Sequence, residues 1–259
     1  MLEDVSFEVL PGEVFTILGS SGCGKSTFLR VLLGAYRPEA GTIKVFGREI
    51  TGMKEDELNE IRRRTGTLFQ GGALYNSMTV GENVALPLRE HTQLDDNIIR
   101  IMVKMKLELV GLRDFEDLMP SQLSGGMAKR VGLARAIALD PEILFYDEPT
   151  TGLDPITAGV IEKLINDLSS KTGVTSVIVT QDMHCAFSCA DRICLLFGGR
   201  VGALGTLEEI RNSGDPLVKQ FINGEPDGPI PLRRSSRDYA EDLIGGSRTP
   251  SGRFLRTNR

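Results

Sequence analysis

Apolar residues along this chain alternate between short unbroken runs and helical spacing. Val14-Phe15-Thr16-Ile17-Leu18 is one such run, and Ile143–Tyr146, Val177–Thr180 and Ile193–Phe197 repeat it. Runs of this length predict strands buried on both faces. Pro11-Gly12 punctuates the first, so residues 4–18 are expected to form two short strands around that turn. Residues 41–46 alternate like a strand, and Thr67-Leu68-Phe69 like a short one ending at Gln70. Elsewhere the apolar positions recur every three or four residues. Phe28, Leu29, Leu32 and Leu33 predict a helix beginning just after Gly24. Ile98, Met102, Met105, Leu109 and Leu112 predict the packed face of another, with the methionines read as filling rather than cofactor contacts. A further helix runs from Gly126 to about Ala138, and Pro155 opens one capped by Asp154.

Buried strands alternating with helices predict an α/β fold with a mostly parallel sheet covered on both faces. The helical stretch near residues 80–135 reads as an inserted α-helical subdomain. At 259 residues the chain has room for one or two domains. No run approaches the ~20 apolar residues that span a bilayer, and the N-terminus has no secretion-signal pattern. A net charge of −5 argues against general nucleic-acid binding. Four cysteines do not make a disulfide framework, which points to a reducing compartment. Cys185, Cys189 and Cys194 have weak zinc spacing and read as small buried hydrophobes; His184 and His91 carry no further signal. The expected division is a folded domain over 1–223 and a tail over 224–259. Residues 228–259 hold seven arginines against three acidic residues, a composition that predicts disorder or ordering by a partner.

The chemistry is concentrated in three segments. Gly19-Ser20-Ser21-Gly22-Cys23-Gly24-Lys25-Ser26-Thr27 follows a strand and precedes a helix, the setting a phosphate-binding loop requires. Its backbone N–H groups and the helix N-terminus would face phosphate, Lys25 would reach the β- and γ-phosphates, and Ser26 would ligate Mg²⁺. Asp147 ends a buried strand, where a carboxylate can hold Mg²⁺, and the adjacent Glu148 can polarise an attacking water. Gln70, also at a strand end, suits a sensor of both metal and water. Ser124-Gly125-Gly126-Met127 opens a second helix N-terminus able to hold an anion. One chain already grips the phosphates at 19–27. The second cradle is therefore expected to close on ATP held by another copy.

In this order and spacing, these segments resemble the nucleotide-binding domain of an ABC-type ATPase over residues 1–222. The resemblance implies a P-loop NTPase with a mostly parallel core sheet, an antiparallel β edge and a helical insert. Residues 19–27 resemble Walker A, Gln70 the Q-loop glutamine and Ser124–Met127 the signature. Asp147 resembles the Walker B aspartate, Glu148 the catalytic glutamate and Asp154 the D-loop aspartate. The family implies ATP and Mg²⁺ as cofactors and a head-to-tail homodimer. Residues 69–75, the stretch Asn83–Thr92, Met119-Pro120-Ser121, Met127 and Lys219-Gln220-Phe221 are similar to ATPases of Mla (maintenance of lipid asymmetry) phospholipid-trafficking systems. That likeness implies a peripheral subunit on the cytoplasmic face of the inner membrane, serving a permease, a STAS-domain protein and an MCE lipid-binding protein. The alternatives are an ATPase for another cargo, such as methionine or lipoprotein, and a slow ATP-dependent dimerising scaffold.

Two positions depart from the pattern. Gln181 stands where the family carries a switch histidine; it can donate a hydrogen bond but not a charge, and slow hydrolysis is expected. The family also has a strand and an adenine-stacking aromatic well upstream of Walker A, whereas Met1 falls inside that region. A start codon placed downstream of the true one is the expectation.

Overall fold

A computed structural model describes residues 2–230, which divide into two units between Gly214 and Asp215. The arginine-rich stretch beyond Ile230 lies outside the described residues.

In chain order the first unit comprises β1 (Val14–Gly19), α1 (Lys25–Leu32), β2 (Lys44–Val45), β3 (Arg48–Glu49), α2 (Glu55–Arg63) and β4 (Thr65–Leu68). The helical insert follows, with α3 (Val80–His91), α4 (Asp96–Leu109), a 3₁₀ turn (Pro120–Gln122) and α5 (Gly125–Ala136). The chain then returns to the sheet through β5 (Ile143–Asp147), α6 (Pro155–Thr172), β6 (Thr175–Thr180), α7 (Met183–Cys189), β7 (Arg192–Phe197), β8 (Arg200–Thr206) and α8 (Leu207–Arg211). The main sheet runs β4-β5-β6-β1-β7-β8, parallel throughout except for β8, which pairs antiparallel with β7.

Period-two alternation sends each strand's side chains to two different cores. Leu144, Tyr146 and Ile178 join α3–α7 on one face, while Phe145, Val177 and Val179 pack with Ile17 and Leu29 on the other. This explains why the strand sequences are continuously apolar. Cys185, Cys189 and Cys194 are buried free thiols, and burial pushes Cys194 up to about 12. No described helix is long and apolar enough to cross a membrane.

Several expectations give way to tertiary context. Residues 4–10 form no strand; Val5, Phe7 and Val9 are partly buried on the second core, but no ladder pairs with them among the described residues. Residues 41–46 contribute only Lys44–Val45, paired with Arg48–Glu49 across a turn where Phe46 and Gly47 both have positive φ. The Thr67–Phe69 strand lies earlier, at Thr65–Leu68.

The larger correction concerns α4. Its buried residues are Ile99, Val103, Lys106 and Leu107; of the expected face, Met102 and Leu112 pack with the core, whereas Ile98, Met105 and Leu109 are 45%, 61% and 54% exposed. Apolar residues surround this helix, so periodicity alone could not choose the inward face. Packing against α3 and α5 places Ile99, Val103 and Leu107 inside, and the Lys106 ammonium reaches out to pair with Asp140.

In the second unit, Pro216 begins α9 (Pro216–Asn223), capped by Asp215 and closed by Gly224. Buried Gln220 binds both backbone groups of Ile230, donating to its oxygen at 3.1 Å and accepting from its nitrogen at 2.6 Å.

The assignment of faces on α4 is checked by two alanine substitutions. Leu107→Ala should cost about 2–5 kcal/mol, as deletions from a closed core do. Met105→Ala should stay within about 0.5 kcal/mol. Urea denaturation of the two variants provides the comparison.

Candidate active site

Four parallel strands end at the same edge of the sheet, and each delivers a polar segment there. β1, in the middle, delivers residues 19–27; β5 delivers Asp147 and Glu148; β6 delivers Thr180 and Gln181; β4 delivers Gln70. The carboxyl ends of a parallel sheet are where such folds place ligands, because loops leaving adjacent strands can diverge around a crevice.

Gly19 closes β1 with no room for a side chain: an added Cβ would lie 2.4 Å from the Leu196 carbonyl oxygen. The loop then turns through Gly22 and Gly24 at φ 78° and 107°, and α1 begins without a side-chain cap. Ser21, Ser26 and Thr27 are exposed, Ser20 and Cys23 half-buried. Burial pushes the Cys23 thiol up, with the nearby Lys25 charge opposing. Lys25 is buried, and its ammonium donates to the Gly19 and Ser20 carbonyls at 2.9 and 3.0 Å. The uncapped N–H groups and this lysine make a positive pocket suited to phosphate.

Asp147 Oδ1 is buried without a hydrogen-bond partner. Burial, then the charge of Glu148, raises its carboxyl above the usual range, while Arg30 and Lys25 oppose. An orphaned carboxylate oxygen beside a phosphate loop fits a divalent cation, which would supply the missing partner.

Glu148 has the left-handed φ of 48°, sparsely populated for a residue with a side chain. Its Oε2 accepts from Thr151 Oγ1 at 2.9 Å, Thr180 Oγ1 at 3.2 Å and the Gln181 backbone N–H at 3.3 Å. Oε1 lies 3.8 Å from Lys25 Nζ. The two residues that the sequence put in separate motifs are thus an ion pair. The Thr151 and Thr180 hydroxyls were missed, since threonines beside Pro149 and at a strand end read as ordinary turn and strand residues. The Gln181 side chain is exposed and its backbone makes the contact; Gln70 is exposed just past β4.

Ser124 caps α5, its Oγ accepting from Met127 N at 3.2 Å, while Gly125 is exposed. Gly126 packs so tightly on α6 that a Cβ would meet Thr157 Cγ2 at 2.2 Å. Asp154 caps α6, and bonds from the Thr157 hydroxyl and backbone hold its carboxyl below the usual range. Residues 124–127 and 154 therefore form one neighbourhood. Among the described residues no hydrogen bond joins it to residues 19–27.

The family pattern described as "ABC transporter" matches residues 2–151. This chain belongs to the ABC transporter ATPase family. It is 46% identical over 247 residues to the intermembrane phospholipid transport system ATP-binding protein MlaF of Escherichia coli K12, covering 95% of this chain and 92% of that protein. It is 45% identical over 228 residues to the probable ribonucleotide transport ATP-binding protein mkl of Mycobacterium leprae, covering 88% and 66%. The dimeric post-hydrolysis structure of the ATP-binding cassette MJ0796 with ADP and Pi superposes with a TM-score of 0.74 and 34% identity, over 80% of this chain and 90% of that one. As a cassette of this family, the chain binds and hydrolyses ATP as an ATP-binding subunit of an ABC transporter.

The strain at Asp147 has a measurable consequence. A carboxyl raised by burial is stabilised by its proton, so that contribution is present at acid pH and lost as pH rises through the raised value. Above that raised value the ionised Asp147 therefore weakens the empty fold. Asp147→Asn should raise the melting temperature of the ligand-free protein by about 1–3 °C. It should also remove the extra stabilisation that Mg²⁺ adds to ATP, as read by differential scanning calorimetry with and without metal.

Proposed function

We propose that the chain powers a phospholipid-moving ABC transporter as a homodimer, with each ATP held between residues 19–27 of one copy and Ser124–Met127 of the other. One geometric observation supports the dimer: two helix N-termini fit for anions, those of α1 and α5, share no hydrogen bond within one chain among the described residues. The cargo reading is supported by near full-length similarity to MlaF, against coverage of only 66% of the mkl protein.

In this reading Lys25 exchanges the Gly19 and Ser20 carbonyls for the β- and γ-phosphate oxygens, which offer negative charge in place of neutral acceptors. Its departure leaves Oε1 of Glu148 free to take the proton of a water attacking the γ-phosphorus, while Thr151 and Thr180 hold Oε2. Ser26, Asp147 and Gln70 would hold Mg²⁺, which when bound supplies charge neutralisation at the phosphate oxygens. Asp154, at the head of α6 beside the signature, would help set the dimer contact. The subunit would sit on the cytoplasmic face of the inner membrane, joined to a permease, with a STAS-domain protein and an MCE lipid-binding protein completing the system.

Glu148→Gln should lower kcat by about 10²–10⁴-fold while ATP binding persists, since a positioned base is worth that much. The same variant should run as a dimer with Mg-ATP on size-exclusion chromatography; a monomer at saturating nucleotide, with and without the membrane subunit, would remove the two-chain site. Purified with its permease in phospholipid vesicles, the wild type should move a fluorescent phospholipid in an ATP-dependent way. Gln181→His should speed hydrolysis roughly ten- to thirtyfold by adding charge assistance of about 1–2 kcal/mol. An unchanged rate means that side chain does not face the γ-phosphate.

A further inference from the structure

One charged group near the site has been given no role. Lys129, on α5, is only 4% exposed. Its ammonium donates to three main-chain oxygens of a single turn, those of Glu148 at 3.2 Å, Pro149 at 2.9 Å and Thr151 at 2.6 Å. A lysine ammonium has three protons, so all its donors are spent on this one loop.

We propose that Lys129 is a positioning residue for ATP hydrolysis, holding the turn that aims the Glu148 carboxylate. The assignment rests on the reading of Glu148 as the proton acceptor. The backbone at Glu148 is in a conformation that persists only when its surroundings over-determine it. Two anchors do so. The Glu148 N–H donates to the Val179 oxygen at 2.8 Å, fastening the turn to β6. Lys129 grips the carbonyl of the same residue and those of Pro149 and Thr151. The hydroxyl of Thr151, whose carbonyl Lys129 holds, in turn bonds Glu148 Oε2 at 2.9 Å. Thus one ammonium fixes both the starting point of the Glu148 side chain and one of the donors that orients its tip.

The helix that carries Lys129 adds a second consequence. Ser124 caps the N-terminus of α5, and Lys129 follows in the next turn of the same helix. Its three hydrogen bonds all run to the 148–151 loop. Any shift of the α5 N-terminus therefore pulls directly on the loop bearing Glu148. Hydrolysis is sensitive to such shifts, because misplacing a reacting group by about 1 Å can cost a hundredfold in rate.

The test is steady-state ATP hydrolysis by the full chain carrying Lys129→Met, Lys129→Gln or Glu148→Gln, with affinity for a fluorescent ATP analogue and melting temperature measured in parallel. Leu107→Ala, remote from the site, controls for lost stability. Lys129→Met should lower kcat by about tenfold or more at a KM within about twofold of wild type, and Lys129→Gln, which retains two donors, should recover part of that loss. A Lys129→Met protein whose kcat is no lower than that of Leu107→Ala overturns the assignment. So does a loss shared equally by kcat and nucleotide affinity and unrelieved by glutamine, which would mark a purely structural lysine. If Lys129→Met does not fold, Lys129→Gln decides: reduced kcat at wild-type KM supports the role, and wild-type kcat overturns it. Turnover that survives Glu148→Gln is a separate failure, removing the catalytic reading of Glu148 itself. An active Lys129→Met beside an inactive Glu148→Gln sinks only the positioning role.

Discussion

The parallel pairing of β1 between β6 and β7, with β5 next to β6, is the constraint on which the site depends. Parallel neighbours end at the same edge, so residues more than a hundred positions apart leave the sheet side by side. Lys25 reaches to within 3.8 Å of Glu148 because of this register. A one-residue slip would send Asp147 or Glu148 to the opposite face. The tight seat of Gly19 against Leu196 ties the loop to the same strands, so the phosphate cradle inherits the sheet's precision.

Charge is managed differently at three neighbouring positions. Lys25 borrows two carbonyls of its own loop, acceptors that a phosphate can replace. Lys129 spends every donor on three carbonyls of a neighbouring loop and has none to spare for a ligand. Asp147 keeps one oxygen unpartnered. A buried polar group without a partner is costly, and the cost is tolerated where binding will remove it. The contrast separates groups built to meet a ligand from the one built to hold shape.

The candidate phosphate loop and the paired carboxylates could be picked out of the sequence because their signals are local. A glycine-rich loop works through consecutive backbone N–H groups, and Asp147-Glu148 needs only the end of a buried strand. Such features are written in adjacent residues. The reading of α4 was right for Met102 and Leu112 but not for Ile98, Met105 and Leu109: apolar residues lie on more than one side of the helix, and the inward face depended on α3 and α5. The stretch 4–10 failed similarly, since alternation describes exposure and not whether a neighbouring strand is there to pair. Thr151, Thr180 and Lys129 had no local signal; a threonine or lysine acquires a role only from what folds against it.

By itself, the sequence determined the alternation of buried strands and helices, the phosphate-loop motif, the carboxylates at the end of β5 and the Ser-Gly-Gly helix start. Each rests on the conformational demands of a few contiguous residues. The tertiary structure alone decided that Glu148 sits in a left-handed turn, clasped by two hydroxyls, a backbone N–H and Lys25, and that Lys129 grips that turn from below. Those contacts join segments distant in the chain. Their geometry comes from strand register and helix packing, which no single stretch of residues encodes.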